Sequence, residues 1–439
     1  MTDKPTDAPR PTTQRLLKLA GMTARISGHA ARDRWQRLWQ SSETDRSAQE
    51  AELYTRIGTE IAETLGEMKG AVMKVGQVVS QYRDLLPPEL VNALTRLQND
   101  APPQPFSALL PRLHEAFGPD LDRHFSFIDP TPLASASLAQ VHRARTSDGR
   151  EVVLKVQYPG VDAAVAADLK QLRIALKLAR VLPVKNEILD ALFREIAQSL
   201  EAELDYRFEA EAIARFRRYH ADTPNIVIPE VLTALSNTRV LTLSFEPGDG
   251  LGQLDDRYDQ PLRNQIAATL FQALGRQLYQ FGEIHCDPHP GNFAARLDGS
   301  LVMYDFGCIK KVSAQVSQRY GEITRAALAG DAAIIESGLI ALGARQTAHT
   351  PMLAESFYTP WLELAQESFS DDTTDFASFP MAERVIALSR ASLPHWRAFQ
   401  PVPETVMINR ALGGHYWNLR QLGAQLALRP LLHTVLPPA

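Results

Sequence analysis

The chain has 439 residues, 45% of them hydrophobic and 22% charged, which fits a soluble globular protein of one large domain or two to three ordinary ones. Its 46 Lys and Arg against 51 Asp and Glu give a net charge of -5, so no nucleic-acid partner is expected. Cys286 and Cys308 are its two cysteines, too few for a disulfide framework. That count, a polar N-terminus with no apolar h-region and the lack of any run of about eighteen apolar residues predict a cytoplasmic chain without a membrane-spanning helix.

Residues 1–45 read as a basic leader. In the first 40 positions Lys4, Arg10, Arg15, Lys18, Arg25, Arg32, Arg34 and Arg37 face only Asp3, Asp7 and Asp33, a net of +5. Leu16, Leu17, Leu19, Ile26, Trp35, Leu38 and Trp39 lie among them. Basic and interfacial side chains together suit peripheral contact with an anionic membrane; a solvated leader is the plainer alternative. Residues 46–123 follow as a helical extension. Ile57, Ile61, Leu65, Met68, Val72, Val75 and Val79 recur at three- and four-residue steps, predicting a long helix over 48–82 with one apolar stripe. Pro87 and Pro88 end it, helices are expected over 89–98 and 107–117, and Pro102, Pro103 and Pro105 mark a linker between them.

The texture turns strand-like over 124–157, where Ala139–Ala144 and Val152–Val156 flank Ser147-Asp148-Gly149, a strong hairpin signal. Helices are expected over 161–181 and 187–220, then a second strand pair, 226–232 and 240–245, across Ser236-Asn237. Helix returns from Pro261 to Phe281, and residues 313–426 read as mostly helical, punctuated by Pro380, Pro394, Pro401 and Pro403. This order predicts an α+β, two-lobed protein-kinase-like fold. Residues 124–246 form its strand-rich N-lobe and residues 247–439 its mostly helical C-lobe, joined near Glu246-Pro247-Gly248.

Two short segments carry the chemistry. In His285-Cys286-Asp287-Pro288-His289-Pro290-Gly291-Asn292, an Asp and an Asn stand five positions apart behind a His, the spacing of a loop in which Asp meets a phosphate acceptor and Asn holds Mg2+. Asp305-Phe306-Gly307, downstream, reads as the metal-binding Asp-Phe-Gly of the same machinery. Their order and separation together point to phosphoryl transfer from ATP. Lys155, on the strand after the hairpin, stands where a phosphate-pairing lysine would. Its acidic partner is left open among Glu195, Glu201, Glu203, Asp205, Glu209 and Glu211. Asp205 and Glu209, four apart, are expected to share a helix face, whereas Glu203 and Asp205 diverge by about 200°.

No Gly-x-Gly-x-x-Gly is present. Small residues, Ala134-Ser135-Ala136-Ser137, stand in its place, and a serine there would donate to a phosphate. No Ala-Pro-Glu follows Asp305, so a peptide-binding activation segment is missing. His285, Asp287 and His289 invite a zinc reading, but His285 packing beneath the loop and His289 shaping it is the better account. Cys286 and Cys308 read as small packed thiols rather than redox partners.

These features resemble the UbiB (AarF) family of atypical kinase-like ATPases, which includes mitochondrial coenzyme Q assembly kinases. Lys74-Val75-Gly76-Gln77 is similar to the family's Lys-x-Gly-Gln motif, and residues 134–137 to its Ala-rich loop. Glu203-Leu204-Asp205 with Glu209 resembles its Glu-x-Asp signature, and Asp287 to Asn292 its catalytic loop. The resemblance covers roughly residues 50–310. It implies that Lys155 pairs with nucleotide phosphates and Glu209 with Lys155, that Asn292 and Asp305 bind Mg2+, and that Glu246 lies where adenine docks. It also implies that Lys74, Gly76 and Gln77 cover the acceptor side, with Glu203 and Asp205 in the same regulatory arrangement.

The implied function is a magnesium-dependent ATPase or phosphotransferase supporting ubiquinone biosynthesis, with a lipid or quinone-precursor ligand and a homodimer as expected partners. The alternatives are a nucleotide-gated lipid- or protein-binding module with negligible turnover and, third, a true protein kinase. Some family members carry C-terminal membrane helices, and none is expected in this sequence; it also departs from the family pattern by Ser135 in the Ala-rich loop and by Cys286 where Ala is frequent.

Overall fold

The computed structural model describes residues 103–135, 138–161, 203–347, 352–400 and 402–437, with scattered helical positions between residues 21 and 201. Most of the predicted helix over 48–82, the helix over 89–98, Lys74, Gly76, Gln77, Ala136, Ser137 and Glu195 lie outside the described residues. Two compact units emerge: residues 1–210 with 231–245, and residues 211–230 with 246–439.

In the first unit a 3-10 turn, Phe106–Ala108, leads into α1 (Leu110–Phe117), and β1 (Phe125–Ser135), β2 (Ala139–Thr146) and β3 (Glu151–Gln157) follow. α2 (Tyr206–Tyr219) begins in the first unit and ends in the second, β4 (Ile226–Val227) lies and pairs within the second, and β5 (Val240–Ser244) belongs to the first. The sheet is antiparallel in the order β1-β2-β3-β5. The Asp-Gly hairpin forms as expected: Gly149 takes a φ of 90°, open to glycine without a Cβ clash, and donates to the Thr146 carbonyl at 3.0 Å. Along β3 the period of two sends Val152, Leu154 and Val156, all fully buried, to the core, where each contributes about 2 kcal/mol. Lys155 consequently projects from the opposite face.

Two expectations are corrected here. Helix over 187–220 is not continuous: it breaks at Leu204 and Asp205. Gln157 Nε2 donates to the Leu204 carbonyl at 2.8 Å, and Asp205 accepts from the Arg207 N–H at 3.1 Å, a local bond that competes with helix continuation. Asp205 therefore precedes α2 and shares no helical face with Glu209. The second strand pair is also reduced. Pro229 carries no N–H and stops the run that starts at Ile226, so only Val231 bridges Leu243, and a 3-10 turn, Thr233–Leu235, fills the connection.

The second unit contains β4, β6 (Asp249–Gly250), α3 (Gln260–Arg276), β7 (Glu283–His285), β8 (Phe293–Ala295), β9 (Leu301–Met303) and β10 (Ile309–Lys311). Its helices continue as α4 (Ala314–Ala329), α5 (Ala332–Ala341), α6 (Glu355–Ser368), α7 (Met381–Ala391), α8 (Pro403–Gln421) and α9 (Leu428–Val435), with a small pair between β11 (Thr374–Asp375) and β12 (Gln425–Leu426). The mostly helical texture expected after residue 313 is present, and α9 extends it beyond residue 426. Asp259 caps α3 by accepting from Leu262 N–H, as a short carboxylate at that position does. A π-helical turn, Gln277–Phe281, continues α3 until Gly282, at φ 66°, releases the chain into β7. Strand order is β4-β9-β8-β6 in one sheet, and β7 pairs with β10 separately. Leu274, Leu278, Ile284, Cys286, Val312, Val316, Ile408 and Ala411 form one core cluster from α3, β7, α4 and α8.

Candidate active site

Tyr206, Glu209, Ile213 and Phe216 make the buried stripe of α2, spaced by three and four residues, and the first two of them belong to the first unit. Glu209 is the charged member of that stripe. A carboxylate only 6% exposed needs a partner, and Lys155 Nζ donates to both its oxygens at 2.7 and 2.9 Å. The Lys155 ammonium also lies 5.4 Å from the centre of the Tyr206 ring. Among the acidic candidates it is therefore Glu209 that the fold brings to Lys155. Glu201 is exposed, and Glu203 is half-buried immediately before the helix break. Asp205 is engaged by Arg207 Nη2 at 2.6 Å, and that bond holds its carboxyl below the usual range. Ala134 and Ser135 are strand residues at the end of β1, in register with Val141 and Gln140, rather than members of a free loop.

Within the second unit, two strand pairs align the motifs. The β8–β9 hairpin sets Phe293 opposite Met303, so Asn292 and Tyr304 are adjacent, and the Tyr304 N–H donates to the Asn292 carbonyl at 3.0 Å. Pairing of Ile309 with His285 places the segment after Gly307 alongside the start of the loop, with Cys286 N–H donating to the Cys308 carbonyl at 2.9 Å. His285 Nε2 bonds the Asp305 carbonyl, and its buried ring meets Phe293 and Phe306 edge-on. His289 Nδ1 accepts from Gly291 N–H at 3.1 Å. Both histidines are thus occupied in shaping the loop.

Asn292 Nδ2 donates to Asp287 Oδ2 at 2.8 Å and to the Asp287 carbonyl at 3.2 Å. With its amide nitrogen so used, Asn292 presents its carbonyl oxygen elsewhere. Asp305 Oδ1 accepts from Gly307 N–H at 2.9 Å, fixing that carboxylate. An amide oxygen and carboxylate oxygens are the donors a hard divalent cation takes, so this set fits Mg2+. Glu246 is tied down by Arg296 at 2.7 Å, and its carbonyl accepts from Tyr304 Oη at 2.8 Å. Cys286 is fully buried in the core cluster; burial pushes its thiol well up, so it stays protonated and inert.

The sequence reading missed the part played by α8. Arg410 Nη2 reaches Asp287 Oδ1 at 3.4 Å, and Asn418 Nδ2 donates to the Pro288 carbonyl at 2.9 Å. A Cβ on Gly414 would sit 2.0 Å from Pro288 Cγ, so the helix backbone rests on the loop at a glycine. His415, buried to the point that its imidazole is lowered to about 3, packs edge-on against Phe293. The adjacent Gly413-Gly414 inside a helical pattern was the available signal of a close approach.

The chain is similar to known proteins over most of its length. A family model described as the ABC1 atypical kinase-like domain matches residues 96–338. Rattus norvegicus atypical kinase COQ8B, mitochondrial, is 30% identical over 373 residues, spanning 84% of this chain and 70% of that protein. Caenorhabditis elegans atypical kinase coq-8, mitochondrial, is 29% identical across 85% of this chain and 50% of its own length. The chain thus spans between half and seven-tenths of these relatives. The solved structure of Mycobacterium tuberculosis Rv3197 in complex with erythromycin shares 26% identity and a TM-score of 0.64, covering 90% of this chain and 99% of that one. With a family match over more than half its length and a kinase-type loop folded around Asp287 and Asn292, this chain belongs to the ABC1 atypical kinase-like family.

Proposed function

We propose that the protein is a magnesium-dependent ATP-binding phosphotransferase or ATPase that supports ubiquinone or related isoprenoid-lipid metabolism from the cytoplasm, peripherally at a membrane. The observation that carries the reading is the buried Lys155–Glu209 pair, with both carboxylate oxygens within 2.9 Å of the ammonium. Kinase-type phosphoryl transfer requires such a lysine–glutamate pair to be formed, because it holds the lysine where phosphates bind. In this reading Lys155 pairs with the nucleotide phosphates, and Ala134, Ser135, Ala136 and Ser137 line the phosphates with small side chains. Asn292 and Asp305 hold Mg2+, which supplies charge to offset the phosphates. Asp287 orients the acceptor. Glu246 marks the adenine side, while Lys74, Gly76, Gln77, Glu203 and Asp205 regulate acceptor access. The domain limits at residues 45, 123 and 246 belong to the same reading.

A second reading is favoured by one finding: the Mycobacterium tuberculosis relative was solved with a macrolide bound. In it, ATP gates the binding of a bulky apolar small molecule or a partner protein, and turnover is negligible. One measurement tests the site that both readings share, and a second separates them. Wild type should show a melting shift with Mg-ATP that Asp305→Asn abolishes; an equal shift in the variant would refute the assignment of Asp305. Steady ATP hydrolysis lost in Lys155→Ala supports the enzyme, whereas binding without hydrolysis supports the gated module.

A further inference from the structure

The loop from His285 to Asn292 contains no lysine or arginine, although it carries the carboxylate expected to meet an acceptor during transfer of a strongly charged group. The fold supplies a cation from 123 positions further along the chain. Arg410 of α8 places Nη2 3.4 Å from Asp287 Oδ1, while Asn292 Nδ2 occupies Oδ2 at 2.8 Å. Each oxygen of this one carboxylate is therefore addressed from a different element. Among the described residues, Asp287 is the hydrogen-bond partner of Arg410.

Arg410 is fixed in place by the helix that bears it. On one side Ile408 and Ala411 enter the core cluster beneath the loop, and Tyr320 Oη donates to Asn409 at 2.9 Å. On the other, Gly414 and Asn418 hold Pro288, the residue after Asp287. The contact at 3.4 Å is loose and both side chains are nearly a third exposed, so as a stability device the pair is worth little. Its position matters more than its strength.

We propose that Arg410 is a positioning residue for phosphoryl transfer: together with Asn292 it fixes the Asp287 carboxylate in the orientation that meets the acceptor. The inference rests on the reading of Asp287 given above. The role is geometric, and small misplacements of a reacting group cost on the order of 10²-fold in rate. In the full-length protein, Arg410→Ala should lower kcat for Mg-ATP hydrolysis by about 10²-fold while leaving KM for ATP within about two-fold, the signature of an interaction made at the chemical step. Millimolar guanidinium should restore part of the lost rate, and Arg410→Lys should fall between the two. Arg420→Ala, on the same helix but facing Trp417 at 5.2 Å and Glu383 at 3.9 Å rather than the loop, should keep the wild-type kcat. An Arg410→Ala variant with wild-type kcat overturns the inference. So does a lost rate that guanidinium does not restore, accompanied by a lowered melting temperature, since that pattern marks a structural role. If wild type neither binds nor hydrolyses Mg-ATP, the reading of the site fails and this inference falls with it; wild-type turnover beside an equally active Arg410→Ala variant refutes the role of Arg410 alone.

Discussion

Truncating Glu209 tests whether the Lys155–Glu209 pair exists for stability or for chemistry. Glu209→Ala leaves the Lys155 ammonium, only 15% exposed, without the two acceptors at 2.7 and 2.9 Å. Removing one partner of a buried pair typically costs about 3–5 kcal/mol. The Tyr206 ring, 5.4 Å from the ammonium, and the remaining access to water relieve some of this, so about 3 kcal/mol is expected. For a unit of about 200 residues that corresponds to a fall of roughly 6–12 °C in melting temperature. The double variant Lys155→Met, Glu209→Leu replaces both charges with apolar groups of similar size. It should recover most of the lost melting temperature, because an apolar pair avoids desolvating two ions. Calorimetry or dye-monitored melting measures the stability, and ATP hydrolysis is followed on the same preparations. The expected outcome is a double variant that is stable but inactive, which would separate the pair's chemical role from its structural one. A Glu209→Ala variant that melts with wild type would show that the pair does not form in solution. A double variant as unstable as the single would show that lost charge pairing is not the cause.

Two adjacent glycines in α8 should respond in opposite directions. Gly414→Ala drives a Cβ into Pro288 and should destabilise by about 1–3 kcal/mol and slow turnover, while Gly413→Ala, with open space around it, should stabilise by about 0.5–1 kcal/mol; urea midpoints of the two variants decide the matter. Stability should also fall on mild acidification. Burial lowers His415 to about 3 and His220 to about 4 from 6.5, so the unfolded chain binds protons that the folded chain refuses. Stability from both is complete above pH 6.5 and is lost as pH falls toward 4, amounting to about 2 kcal/mol per histidine at pH 5. Urea midpoints measured from pH 7.5 to 5 should decline less in a His220→Gln, His415→Gln variant than in wild type, and an equal decline would rule this account out.

What the sequence revealed and what it hid divide along a physical line. Features set by neighbouring residues were legible. Asp148-Gly149 predicted its hairpin because only glycine takes φ 90° freely, and the Asn292-to-Asp305 separation was readable because a single short hairpin, β8–β9, sets it. Features set by helix phase were not. Which acidic side chain reaches Lys155 depends on where α2 begins, and a start displaced by two residues rotates every candidate by about 200°. Continuous helix through Leu204 would have put Asp205 on the face of Glu209; the break, made by a side-chain bond from Asp205 and the capture of the Leu204 carbonyl by Gln157, decides for Glu209. Pro229 likewise split a run of apolar residues that looked like one strand, sending Ile226 and Val227 to a parallel pairing with β9. Least legible was α8, whose Arg410, Gly414 and Asn418 meet the catalytic-type loop across more than a hundred residues. No periodicity encodes that contact, because an amphipathic pattern says which face is buried and not against what. The same separation gives the site its character. The loop contributes a carboxylate and an amide but no lysine or arginine, so the cation beside Asp287 is held by a helix whose own register rests on Pro288. Any change that slides or tilts α8 therefore acts on the Asp287 carboxylate before it disturbs the Asn292 and Asp305 oxygens suited to Mg2+, and turnover should fail ahead of nucleotide binding.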